Sequence, residues 1–270
     1  MPELPEVETT RRGVLPHVKG KRVKQVDVRQ SQLRWPVSDE IQHLAGQTLK
    51  DITRRGKYLL LHFDHGVALV HLGMSGSLRV LTAPETPRLH DHVDVEFSGG
   101  VVLRYHDPRR FGAWLWSNDN VEMHPLLASL GPEPLENDFS GEYLFNLSRG
   151  RKAPIKTFLM DSHVVVGVGN IYANEALFMA GILPSRAAGR VSLERYERLA
   201  KAVREVLTHS IEQGGTTLRD FVGGDGKPGY FQQTLRVYGR AGEPCRTCGE
   251  SLRESRLGQR ATVFCKFCQT

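Results

Sequence analysis

Apolar and polar residues alternate at period two through much of the first half of this 270-residue chain. Val26-Asp27-Val28, the stretch from Tyr58 to Phe63, and His92-Val93-Asp94-Val95-Glu96-Phe97 carry the pattern, which predicts strands with one face buried and the other wet. Asp64-His65-Gly66 and Ser98-Gly99-Gly100 separate these runs as turns. A helix is expected to precede them, because Pro5 suits a first helical position and Glu6 and Glu8 complement a helix N-terminus. Leu130-Gly131-Pro132-Glu133-Pro134 reads as a linker, and beyond it the period becomes helical. Leu193, Tyr196, Leu199, Val203, Val206 and Ile211 form one apolar stripe, with Ser192 as its cap and Gly214-Gly215 as its end. A Gly-rich segment, Thr216 to Tyr230, then leads to a cysteine-bearing end. The order is a β domain, a linker, a helical domain and a small metal module.

Charge sharpens this division. Residues 1–150 carry 18 Lys and Arg against 19 Asp and Glu, whereas residues 151–270 carry 18 against 11. The whole net charge of +6 therefore resides in the second part, as a polyanion-binding face would require, although a solvated surface gives the same count. No apolar run approaches the roughly 18 residues of a membrane span. The opening MPELPEVET is unlike a secretory signal, so a cytoplasmic address is expected. No heptad pattern is present, and a monomer is the expected state.

All four cysteines fall near the end, as Cys245-x2-Cys248, sixteen intervening residues, and Cys265-x2-Cys268. Two Cys-x-x-Cys turns can present four thiolates to one tetrahedral ion, which suits a single structural zinc, with iron as the other metal. A thioredoxin-like reading lacks its βαβ context, and disulfides lack an oxidising compartment. Ala261-Thr262-Val263-Phe264 reads as part of a hairpin. Seven Lys or Arg against three Glu between Arg236 and Lys266 tilt this module toward nucleic acid.

Met1-Pro2 is a pair that methionine aminopeptidases cleave, exposing a proline secondary amine. An α-amine has a pKa of about 7.7–8.0 against about 10.4 for lysine, so it suits an imine-forming nucleophile at neutral pH. Glu3 is placed to manage protons beside it. Taken alone, a Pro-Glu start is usually only a helix beginning.

The opening Pro2-Glu3-Leu4-Pro5-Glu6-Val7-Glu8-Thr9 resembles that of formamidopyrimidine-DNA glycosylases. So do Arg55-Gly56-Lys57-Tyr58-Leu59, His71-Leu72-Gly73-Met74-Ser75-Gly76 and Asp107-Pro108-Arg109-Arg110-Phe111-Gly112. Gly167-Val168-Gly169-Asn170-Ile171-Tyr172, Gln213-Gly214-Gly215-Thr216-Thr217 and the cysteine module with Gln259-Arg260 complete the match in family order. The resemblance implies an α+β multidomain fold: an N-terminal catalytic β-sandwich (1–130), a helix–two-turn–helix domain (131–235) with a lesion-capping loop (216–230), and a zinc-ribbon hairpin (236–270). It implies damaged double-stranded DNA as partner, no nucleotide cofactor, and excision of 8-oxoguanine and formamidopyrimidines through a Pro2 iminium, followed by β,δ-elimination.

In that frame Pro2, Glu3, Lys57 and Arg260 are catalytic. His71, His90, Arg151, Asn170 and Tyr238 contact DNA; Met74, Arg109 and Phe111 fill the gap left by the flipped nucleotide; Glu6, Thr216 and Thr217 assist base recognition; and Cys245, Cys248, Cys265 and Cys268 hold zinc. Met74 and Phe111 could otherwise be core residues, and most of the eleven histidines must be structural. Gly167-Val168-Gly169 fails as a dinucleotide fingerprint, because Tyr172 stands at the third glycine. An endonuclease VIII-like enzyme for oxidised pyrimidines and a non-catalytic zinc-ribbon DNA-binding protein are the alternatives.

Overall fold

The computed structural model describes residues 1–118, 120–215 and 234–270. The described chain forms two compact units. One comprises residues 1–128 with 213–215, and the other residues 129–212 with 234–270.

The first unit opens with α1 (Leu4–Val18), followed by β1 (Val23–Val28), the short α2 (Asp39–Gln42), β2 (Asp51–Arg55), β3 (Tyr58–Phe63), β4 (Gly66–His71), β5 (Ser77–Leu81), β6 (Asp91–Phe97), β7 (Val102–His106) and β8 (Ala113–Ser117). Two four-stranded antiparallel sheets result, in the orders β1-β6-β7-β5 and β2-β3-β4-β8. Val93, Val95 and Leu103 from one sheet and Leu59, Leu61, Val70 and Trp114 from the other share one core with Val7, Val14 and Val18 of α1. This is a β-sandwich closed by a helix.

The strands are where the alternation put them, but the simple in–out rule fails twice. In β3, Leu59, Leu60 and Leu61 are all buried, so both faces of the sheet are covered there. In β6 the polar positions His92 and Asp94 are buried rather than wet. His92 Nε2 pairs with the Asp107 carbonyl at 2.8 Å. Asp94 accepts from Arg104 Nε at 2.9 Å and Nη2 at 2.7 Å, and Arg29 reaches it at 2.8 Å. Bidentate geometry of this kind is what makes a buried carboxylate tolerable.

α1 is anchored through Glu8, which accepts from Arg11 and Arg12 and lies 3.4 Å from Arg54 of β2. Burial alone would raise its carboxyl; the three guanidiniums overcome this and bring it to about 2. Arg11 also donates to the Ile52 carbonyl at 3.2 Å. The helix that begins at the chain start is therefore fixed to the sheet.

The second unit contains α3 (Gly141–Ser148), α4 (Ile155–Leu159), α5 (Asn170–Met179), α6 (Leu193–Glu212) and the hairpin β9 (Arg253–Leu257) and β10 (Arg260–Phe264). Tyr196, Leu199, Val203, Val206 and Ile211 of α6 are buried as the stripe predicts, while Leu193, in its first turn, is 40% exposed. Gly141 lets α3 approach α6 closely, since a Cβ there would lie 2.4 Å from the Glu197 backbone. Tyr172 of α5 and Ser210 of α6 share a buried 2.6 Å hydrogen bond. The stretch expected to be a linker follows the boundary between the units at residues 128 and 129, and its backbone is hydrogen-bonded within the second. Gly131 N–H donates to the Ser162 carbonyl, and Val166 N–H donates to Pro132. Among the described residues no helix is long and apolar enough to cross a membrane.

Trp35, Trp114 and Trp116 all belong to the first unit, so tryptophan fluorescence reads its unfolding alone. Asp94→Ala removes the bidentate partner of Arg104, which keeps only Asp91 at 3.6 Å and the Glu85 carbonyl at 3.0 Å, and should lower that unit's stability by about 3 kcal/mol in urea titrations. A loss below about 1 kcal/mol would show that the pair is not structurally important.

Candidate nucleic-acid interface and active site

Pro2 and Glu3 are buried immediately before α1, with Glu3 as its N-cap. The Glu6 carboxylate, fully buried, accepts from Glu3 N–H at 2.9 Å, the reciprocal bond of a capping box. The first residues are thereby held in one conformation by the helix they start. With Met1 present the Pro2 nitrogen is an amide. Gly215 lies against Glu6, its absent Cβ falling 3.4 Å from Oε1. Thr216 and Thr217, and the capping loop 216–230 as a whole, lie outside the described residues.

Lys57 occupies the two-residue turn between β2 and β3. Gly56 takes φ +56° and Lys57 does not take positive φ, the pattern of a hairpin turn with glycine first. Across the sheet, Tyr58 pairs with His71, and their rings lie 4.9 Å apart. Gly73 N–H donates to His71 Nδ1 at 2.9 Å, which leaves Nε2 as the protonated nitrogen of a neutral ring. Desolvation first, then the charges of Lys57 and Arg34, lower the His71 pKa to about 4. Three basic groups thus converge on one end of the sheet, where an incoming anion would find donors and positive potential.

The segments Gly73–Gly76 and Asp107–Gly112 are packed together by missing side chains. A Cβ on Gly73 would meet Gly112 N at 2.5 Å, and one on Gly112 would meet the Tyr105 hydroxyl at 1.7 Å. Asp107 pins the second segment by accepting from Gly112 N–H at 2.8 Å and Tyr105 O–H at 3.0 Å. The outcome is that half-buried Met74 and exposed Arg109 and Phe111 project from adjoining turns. Phe111 is 45% exposed, with the Arg109 guanidinium 5.0 Å from its ring centre, so it is not a core residue. His90 joins the same region, its carbonyl accepting from Asp107 N–H at 3.0 Å and its ring flanked by His92 and His106.

In the second unit, Asn170 is the first residue of α5, after the Gly169 N-cap. Its Oδ1 is buried without a hydrogen-bond partner among the described residues. Arg151 is exposed beyond the end of α3. Tyr238 and Arg260 are each positioned by buried polar groups that sequence reasoning missed. Glu175 of α5 accepts from the N–H groups of Arg236 (2.8 Å), Val237 (2.9 Å) and Tyr238 (2.8 Å). Burial still pushes its carboxyl above the usual range, against those three donors. Its neighbour Asn174 accepts from Val263 N–H at 2.9 Å. Lys156, also buried, donates to Ala261 O at 2.9 Å and Thr262 Oγ1 at 2.7 Å, next to exposed Arg260 at the hairpin tip. The available signal was the polar pair Asn174-Glu175 inside an otherwise apolar helix.

The four cysteine sulfurs lie within 4.8 Å of one another, with Cys245–Cys268 at 3.9 Å and Cys248–Cys265 at 3.5 Å. They form a group that can hold one metal ion.

The formamidopyrimidine-DNA glycosylase N-terminal domain model matches residues 1–114, and the formamidopyrimidine-DNA glycosylase H2TH domain model matches residues 130–222. The chain belongs to the formamidopyrimidine-DNA glycosylase family. It is 61% identical over 270 residues to the formamidopyrimidine-DNA glycosylase of Methylococcus capsulatus, covering all of both chains. The crystal structure of the MutM (Fpg) protein of Thermus thermophilus is similar at a TM-score of 0.89 and 38% identity, over 99% of this chain and 98% of that one. Wild-type Lactococcus lactis Fpg, in a complex with DNA containing N7-benzyl-Fapy-dG, is similar at 0.92 and 32% identity over the whole of both chains. The chain is therefore a DNA glycosylase of base-excision repair, and its β-sandwich, helical domain and four-cysteine hairpin are those of that fold.

Two measurements check the geometry. In nitrogen-detected NMR, His71 should titrate near pH 4 as the Nε2–H tautomer, and Lys57→Met should move its midpoint upward toward 6.5; an unshifted midpoint would sink the charge coupling. Glu175→Gln sets an amide N–H₂ against backbone donors and should weaken DNA binding at least tenfold without altering the first unit's unfolding curve. Unchanged affinity would remove Glu175 from the support of Tyr238.

Proposed function

We propose that the protein excises oxidised purines, 8-oxoguanine and formamidopyrimidines, from duplex DNA in the cytoplasm and then cleaves the strand as a lyase. The observation that carries this reading is the buried Pro2-Glu3 start, held by Glu6 at the mouth of α1. Once Met1 is removed, the Pro2 secondary amine attacks C1′ of a nucleotide extruded from the stack, an extrusion that costs a few kcal/mol. The C1′–N bond breaks and the base leaves with a proton; the C1′–O4′ bond then opens as the Pro2 nitrogen forms a double bond to C1′, O4′ takes up a proton, and Glu3 handles that proton transfer at the sugar. The resulting iminium accepts electrons, so loss of a C2′ proton expels the 3′ phosphate. A second elimination expels the 5′ phosphate, and water then releases the sugar remnant and restores the amine.

Lys57 and His71 receive backbone phosphate in the first unit, and Asn170, Tyr238, Arg260 and Arg151 do so in the second. His90 is a further DNA contact. Met74, Arg109 and Phe111 occupy the gap left by the extruded base: apolar side chains wedge between base steps, and an arginine can bond the orphaned partner. Glu6 and the threonines 216 and 217 assist base recognition.

Zinc fits the four cysteines on geometry. A tetrahedral ion with Zn–S bonds of about 2.3 Å separates its sulfurs by about 3.8 Å; two pairs here lie at 3.5 and 3.9 Å, and all four sulfurs fall within 4.8 Å of one another. Bound there, zinc supplies folding energy to the hairpin that presents Arg260. It takes no part in the chemistry.

The deciding experiment incubates Met1-processed protein with an 8-oxoguanine:cytosine duplex and sodium borohydride, alongside Pro2→Gly and an undamaged duplex. A damage-dependent covalent adduct on Pro2 is expected. Its absence, with an adduct on a thymine-glycol duplex instead, would assign the enzyme to oxidised pyrimidines. Lys57→Ala and Arg260→Ala should each lower the log–log salt slope of duplex binding by about 1. Chelation of the metal should abolish binding, and apo protein that still binds DNA would contradict the structural role given to zinc.

A further inference from the structure

The fold holds the His90 imidazole without using its nitrogens. The ring is half-buried, and neither nitrogen has a hydrogen-bond partner among the described residues. Two other imidazoles flank it instead. The His106 ring stands 6.0 Å away at 69° and the His92 ring 6.1 Å away at 71°. Aromatic rings attract one another in this edge-to-face geometry.

Both flanking rings are fixed by bonds of their own. His106, the last residue of β7, pairs across the ladder with Asp91, the first residue of β6, and its Nδ1 lies 2.8 Å from Asp91 Oδ1. The Asp91 side chain is fully buried. Burial would raise its carboxyl, but the Arg88 N–H, the His106 ring and Arg104 hold it below the usual carboxylate range. A carboxylate only accepts, so His106 Nδ1 donates and its ring cannot turn over. His92 Nε2 donates in the same way to the Asp107 carbonyl, at 2.8 Å. The backbone between them is tied as well: Arg29 Nε donates to the Asp91 carbonyl at 2.7 Å and Arg29 N–H to the His92 carbonyl at 2.8 Å. A bond from His90 to the protein would consume a nitrogen that a ligand needs. Ring edges place the imidazole and leave both nitrogens available, which lowers the ordering cost of binding.

We propose that His106 is a positioning residue for DNA binding: anchored by Asp91, its ring sets the His90 imidazole, with His92 on the other side, in the orientation that meets DNA. His106 acts through His90 and not through a DNA contact of its own. The inference rests on the reading of His90 as a DNA contact.

The test is a double-mutant cycle on the full, metal-loaded protein, read as affinity for a duplex carrying a tetrahydrofuran abasic analogue, with tryptophan fluorescence confirming that the first unit unfolds as in the wild type. His106→Asn removes the ring but keeps a side-chain N–H for Asp91, whereas His106→Phe keeps a ring and loses that bond. His90→Ala should weaken binding about tenfold, and His106→Asn about fivefold. In the His90→Ala background His106→Asn should change affinity by less than about twofold, and His106→Phe should restore most of the affinity that His106→Asn loses. An unchanged affinity in His90→Ala removes His90 from the DNA contacts and the positioning role with it. If His90→Ala does weaken binding, the contact stands, and three results overturn the inference about His106 alone: wild-type affinity in His106→Asn, a loss that persists undiminished in the His90→Ala background, or a stably folded His106→Phe that binds no better than His106→Asn.

Discussion

A peptide N–H or C=O removed from water must find a partner, or the fold loses about 1–3 kcal/mol for each one left alone. The irregular segments of this protein are built around that demand. Segment 236–238 has no ladder to join, so Glu175 serves three of its N–H groups at once. Segment 107–112 is closed by Asp107 in the same manner, and the chain start is closed by Glu6. In each case a buried carboxylate takes the place of secondary structure, and a side chain expected to meet DNA sits within a few residues of it. Charged acceptors make stronger bonds than neutral ones, so these loops gain the rigidity that a positioned contact needs without lying inside a sheet or helix.

Regular elements were readable because their periods are simple. The stripe on α6 and the alternation in β1, β3 and β6 came directly from hydrophobic spacing. The in–out reading of β6 failed because period two says only that faces differ, not that one is wet: Arg104 and Arg29 make a buried Asp94 acceptable. Leu193 fell off its stripe because a residue in a helix's first turn has no preceding turn beneath it. The linker stretch does follow the boundary between the units, but Gly131 and Pro132 mark a bend equally well whether the backbone is solvated or packed. Glu175, Asn174 and Lys156 were invisible because their partners lie 61 to 106 residues away in sequence. Only the oddity of a charge in an apolar helix could have flagged them. The candidate contacts themselves were legible through motifs, since Gly73 and Gly112 are required by a backbone approach that no larger residue permits.

The charge division follows the same logic. The first part of the chain is almost neutral in sum, yet Lys57 and Arg34 create a local positive field that the total conceals. A histidine kept neutral first by burial and then by that field still donates through Nε2, so it can bind a phosphate oxygen without taking up a proton. Its contribution then stays constant across neutral pH, unlike that of a solvent-exposed histidine titrating near 6.5. In the second unit the excess is carried by exposed arginines, whose charge is fixed at any physiological pH. Both units therefore present cationic groups that neutral pH does not modulate.

The nucleophile proposed at Pro2 raises the question of why it should be an α-amine rather than a lysine. The gap between an α-amine and a lysine amine is about 2.5 pKa units, or about 3.4 kcal/mol in the cost of exposing a lone pair at neutral pH. A helix N-terminus contributes about 0.3–1 kcal/mol in the same direction, and α1 begins two residues after Pro2. Glu3 and Glu6, both buried beside it, act in the opposite direction by favouring the cation, although Glu6 already shares its charge with Glu3 N–H. The helix end alone is smaller than the intrinsic gap, so the advantage comes first from the choice of amine and only secondarily from its surroundings. What the surroundings add is position: a secondary amine on a ring, two residues before a capped and anchored helix, has little freedom left to lose in the proposed attack on a sugar carbon.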